Sequence, residues 1–136
     1  MFHLIKILNG RTGVPEPARV SLTAPATVCY GMPVVIKSGV LSPMNSAATA
    51  LPTHLILANG EAVSEVLATP ITPEMLFEVP LSAAPTGMKA ESEYLIADDG
   101  LSLTATAVTS GKRGATLVNG CGASTLGDNV VVSFKN

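Results

Sequence analysis

The apolar positions of this 136-residue chain fall in short runs, and each run ends at glycine, proline or a small polar residue. No stretch sustains a helical period, and the runs are rich in β-branched residues, so strands and turns are the expected elements. Phe2 to Leu8 reads as a strand ended by Asn9-Gly10, and residues 11–17 that follow carry Gly13, Pro15 and Pro17. The prolines force extended backbone that pairs poorly. Residues 1–19 therefore read either as an extended N-terminal arm or as an edge strand, and residues 20–136 as a single β domain.

Along that domain the expected strands are Val20 to Leu22, Ala26 to Tyr30 and Pro33 to Lys37. Ser38-Gly39 is a tight hairpin connection, and Val40-Leu41 begins the return. Ser42 to Pro52 is small and polar and reads as a surface loop. Thr53 to Ala58 is a strand closed by Asn59-Gly60. Glu61 to Thr69 is the one segment where a helix competes, because Ala62, Val63, Val66 and Leu67 sit at helical spacings. Further strands are expected at Glu74 to Leu81, Glu93 to Ala97, Leu101 to Val108, Ala115 to Val118 and Asn129 to Phe134. In Leu101 to Val108 the apolar Leu101, Leu103, Ala105 and Ala107 alternate with Ser and Thr, the mark of a half-buried strand. The fold class is thus mainly β: a small barrel or sandwich with an extended N-terminal segment and at most one short helix.

Charge changes the picture. Only 13% of the residues are Asp, Glu, Lys or Arg while 47% are hydrophobic, against about 25% charged in an ordinary soluble domain. A membrane span does not explain this. The longest uncharged stretch, Ser38 to Gly60, is interrupted by Pro43, Pro52, His54, Asn45 and Asn59, and a spanning helix needs about 20 predominantly apolar residues. A surface partly covered by partner protein explains it better, because few charges leave little to keep a lone domain soluble. The net charge is −2, and Lys112-Arg113 is the only adjacent basic pair. Binding to nucleic acid through its phosphates is not expected.

Candidate chemistry is sparse. His3 and His54 lack neighbouring Cys, Asp or Glu at ligand spacing. Cys29 and Cys121 read as small buried apolar residues, with a disulfide as the alternative, and nothing suggests secretion. Asn119 to Gly127 is glycine-rich, but no helix follows to face a phosphate. Gly111 to Gly114 lacks the pattern of a nucleotide-binding loop, and Asp98-Asp99-Gly100 lacks the further oxygen ligands of a calcium loop. The absence of Trp, with two Tyr and three Phe, counts against a stacking platform for sugars or bases. No catalytic, cofactor or metal residue is assigned, and the chain is not expected to be an enzyme.

Gly31-Met32-Pro33-Val34-Val35-Ile36-Lys37-Ser38-Gly39-Val40-Leu41 forms a turn, strand, Ser-Gly and return. It is followed by Leu51 to Leu57, Leu76 to Pro80, Glu93 to Leu101 and Gly127 to Phe134. This series resembles the small head-decoration, or capsid cement, proteins of tailed bacteriophages. The resemblance implies a β-barrel-like body that binds the outer face of the major capsid protein lattice, often as a homotrimer, and is found in the virion after synthesis in the host cytoplasm. It implies no cofactor. Phe2, Leu4, Ile5, Ile7 and Arg11 are the expected capsid contacts, and deletion of residues 1–17 is expected to abolish binding and leave the body folded. A tail, fibre or neck component, or a small ligand- or carbohydrate-binding barrel, are the alternatives.

Overall fold

A computed structural model describes residues 1–7, 16–119 and 128–135. Its strands, in chain order, are β1 (His3–Ile7), β2 (Ala18–Val28), β3 (Pro33–Lys37), β4 (Val40–Pro43), β5 (His54–Ile56), β6 (Gly60–Pro70), β7 (Met75–Pro80), β8 (Glu93–Ile96), β9 (Leu103–Ala107), β10 (Ala115–Asn119) and β11 (Asn129–Ser133). Among the described residues there is no helix. The strands form a six-stranded sheet in the order β1-β7-β11-β10-β8-β9 and a five-stranded sheet in the order β2-β6-β5-β3-β4. All the pairings between strands are antiparallel.

The five-stranded sheet curls until β2 approaches the β3–β4 hairpin, and edge strand β9 of the six-stranded sheet meets the end of β7. In the five-stranded sheet the ladder between β2 and β6 is interrupted between Ser21 and Ala26. There Thr23 turns instead to β4's hairpin, and its backbone N–H donates to the Gly39 carbonyl at 2.9 Å. A bulge sharpens local twist, which is how a short sheet closes on itself. In the six-stranded sheet a parallel bridge joins Leu81, just past β7, to Leu103 of β9. The Ser82 N–H donates to the Leu103 carbonyl at 2.9 Å. These contacts cover part of the sheet edges, the positions at which β proteins are exposed to unwanted pairing.

The sequence explains most elements. The β3–β4 hairpin turns on Ser38 and Gly39, with φ of 51° and 77°, the double positive φ that tight hairpins require. Along β7 the burial alternates residue by residue, with Met75, Phe77 and Val79 inward. Glu61–Thr69 lies wholly within β6, so its strand reading holds and its helical reading does not. The helical spacing has a physical origin. Ala62 has a φ of 49°, and the ladder to β2 shifts register on either side of Val63. Val63 and Val66, three apart, therefore both pack on the same apolar cluster. Leu101 to Val108 departs from its expected alternation: Leu103 is buried, but Ala107 is exposed because β9 is an edge strand paired only with β8 there.

Two apolar clusters fill the body. The larger includes Phe2, Phe77, Phe134, Met75, Ile96, Leu103 and Val132, with Met44 and Leu55 contributed from the five-stranded side. The smaller lies within the five-stranded sheet around Val34, Ile56, Val66 and Ala68. Phe134 makes two ring contacts, to Phe2 at 5.6 Å and edge-on to Phe77 at 5.5 Å.

The N-terminal segment, open at the sequence level between arm and edge, is an edge strand over His3–Ile7, paired with β7. Ala18 and Arg19 already belong to β2. Phe2 is fully buried, and its N–H donates to the Gly31 carbonyl at 2.9 Å. The segment is therefore part of the body at its first residues, so deletion of residues 1–17, expected to leave the body folded, would take Phe2 out of the core.

Candidate interaction surface

The five residues expected to touch a capsid have different fates. Phe2 points into its own core and offers no side chain to a partner. Leu4 and Ile7 are partly buried and pack against the larger cluster. Ile5 is 46% exposed. It falls between Leu4, which pairs with Phe77, and Lys6, which pairs with Leu76, so it is the extra residue of a β-bulge. Bulges of this kind re-aim a side chain away from the ladder. Arg11 lies outside the described residues.

Among the described residues three other large apolar side chains stay exposed: Met1 at 50%, Tyr30 at 40% and Val40 at 51%. Two of these, Met1 and Tyr30, come together at Gly31. Met1 lies directly on Gly31, where an added Cβ would sit 2.6 Å from the Met1 Cβ. Gly31 has a φ of 80°, so the position favours glycine on conformational grounds as well. Tyr30 precedes it in the turn, held by its N–H donating to Asn59 Oδ1 at 2.8 Å. Sequence reasoning passed over Met1 and Tyr30. The available signal was an aromatic residue immediately before a Gly-Met-Pro turn.

Most of the polar candidates are engaged structurally. His3 is exposed on β1. His54 opens β5 half-buried, with Nδ1 2.8 Å from Thr53 Oγ1, and burial lowers its pKa. Asp98 accepts from the Ser46 N–H and hydroxyl, and these bonds hold its pKa below the usual value. Asp99 Oδ1 accepts from the Leu101 N–H and the Ser102 hydroxyl, which fixes the turn. The N-terminal amine is lowered chiefly by burial, with Asp99 acting in the opposite sense. Cys29 packs against the smaller cluster, and Cys121 and Gly120 to Gly127 lie outside the described residues. Glu65 pairs with Arg19 on the five-stranded sheet, while Glu78 accepts from Asn129 on the six-stranded one. Among the described residues no three His, Cys, Asp or Glu side chains gather where they could hold a metal ion.

The densest polar cluster ties elements together. Glu93 Oε2 accepts from Arg113 Nε at 3.0 Å and from the Gly114 N–H. Arg113 also donates to the Lys135 carbonyl at 3.1 Å, and its backbone N–H donates to the Ala48 carbonyl at 2.8 Å. Every arm of this clasp points at the protein itself, which suits cross-linking of β8, the 109–114 turn and the C-terminus better than ligand capture. A cleft of ≈ 290 Å³ opens between β3, β4 and residues 44–50, and no ionisable side chain lines it.

Comparison with protein-family models, curated proteins and solved structures finds no match for the chain.

Proposed function

We propose that the protein is a virion structural component that binds the outer face of a phage major capsid protein lattice and stabilises the head. The reading rests on the resemblance of the strand and turn series from Gly31 to Phe134, and on composition. The single structural observation that supports it most is that Met1, Ile5 and Tyr30 are large apolar side chains left exposed, with Met1 seated on Gly31 next to Tyr30. In a chain with 13% charged residues, apolar side chains held out on a bulge and a tight turn favour burial against another protein.

The mechanism in this reading is adhesive. Each 100 Å² of apolar surface covered across a subunit join contributes roughly 2.5 kcal/mol before the costs of association. Repetition over a shell, and self-association into a trimer, multiply weak contacts into stable attachment. In this reading Ile5, the exposed member of the expected contacts among the described residues, acts with Met1 and Tyr30. The test is binding of purified protein to capsids lacking it. Wild type is expected to co-sediment and to raise the temperature at which the shells rupture, and failure to associate at all would end the proposal.

A further inference from the structure

We propose that β1 is an exchangeable strand, and that the slot it fills on the edge of β7 also accepts β1 of a second copy of this chain. The occupant is identified by the structure itself, because the slot is already seen complementary to this segment. The slot has a backbone ladder, with His3 opposite Glu78, Leu4 opposite Phe77, Lys6 opposite Leu76 and Ile7 opposite Met75. It also has a deep socket for one aromatic ring, where Phe2 meets Phe134 at 5.6 Å, and a backbone acceptor, the Gly31 carbonyl, for the Phe2 N–H.

Three features make exchange feasible. Among the described residues β1 pairs on one side only, so it leaves without breaking any other strand pairing seen there. The bulge at Ile5 already interrupts its ladder. Ten residues, 8–17, separate β1 from β2, enough to span roughly 30 Å if extended. The contacts made in cis and in trans are the same, so only effective concentration decides between them. For a short linker that concentration is in the millimolar range. Exchange is therefore favoured wherever copies are crowded to comparable density. The inference concerns the free chain and does not depend on the capsid reading.

The test is a cross-link between the two positions that face each other in the slot. Opposed residues of an antiparallel pair have Cα atoms about 4.5–5.5 Å apart, within reach of a disulfide. In a background with Cys29 and Cys121 replaced by serine, one chain carries His3→Cys and another carries Glu78→Cys. The two are mixed, unfolded, refolded together at concentrations up to several millimolar (the effective-concentration range) and oxidised. A covalent heterodimer, rising in yield with protein concentration, is the expected result. A chain carrying both substitutions, oxidised when dilute, should close within itself, which shows that the variants fold and the pair is in reach. Closure in that chain with no heterodimer at any concentration overturns the proposal. Failure of the double variant to close overturns it too, since the slot then does not hold β1 at all.

Discussion

Truncating Phe2 to alanine removes a ring that is fully buried and in contact with Phe134. Losses of this kind cost about 3–5 kcal/mol, so the midpoint of urea unfolding should fall sharply, although the residue stands second in the chain. Ile5 should behave oppositely. Ile5→Asp alters an exposed bulge residue, and its effect on stability should stay within about 0.5 kcal/mol, while capsid binding is lost if the proposed surface is correct. The two variants separate folding from attachment within one four-residue span. Gly31 is a third test at this scale. Gly31→Ala meets both a positive φ and the Met1 side chain, and a loss of about 1–3 kcal/mol is expected by denaturation. The sequence shows that residues 2–8 are apolar and alternating, but not which face they bury. That depends on the partner strand β7 and on a bulge, neither of which the local pattern encodes.

Strands fared unevenly when read from sequence, and the reasons are physical. The β3–β4 hairpin was legible because Ser38-Gly39 is local turn chemistry, and β7 because one face meets the core and alternation survives. β6 was ambiguous because an irregular ladder and the positive φ of Ala62 shift the phase of its apolar residues. A bulge of that sort mimics a helical interval. β2 was seen as two short strands because Thr23 to Pro25 leave the β6 ladder, yet the chain continues through them as one eleven-residue strand that helps close its sheet. The clasp at Glu93 was not legible at all, since its partners come from residues 113, 114 and 135. Arg113→Met is expected to cost about 1–3 kcal/mol, the penalty for leaving a half-buried carboxylate short of a donor. The added loss should appear in thermal unfolding.

For the whole molecule, stability should depend on pH through two side chains, besides the N-terminal amine. Burial lowers the His54 pKa from 6.5. The folded state therefore binds that proton less readily than the unfolded chain. The contribution is fully present above pH 6.5 and is lost as pH falls through the lower folded value. Asp98, held below 3.8 by Ser46, adds a second loss only in stronger acid. A His54→Gln variant should flatten the first decline and leave the second. In the proposed reading the surface is covered by partner protein, and the exposed Met1, Ile5 and Tyr30 are the side chains it offers. The most direct measurement is co-sedimentation of the wild-type protein with capsids through a density gradient, with its copy number counted by quantitative mass spectrometry. The account predicts a copy number of the same order as the major capsid protein, falling to background for Ile5→Asp. A handful of copies per particle would contradict the head-decoration role and point to the tail or neck, and none would contradict a place in the virion.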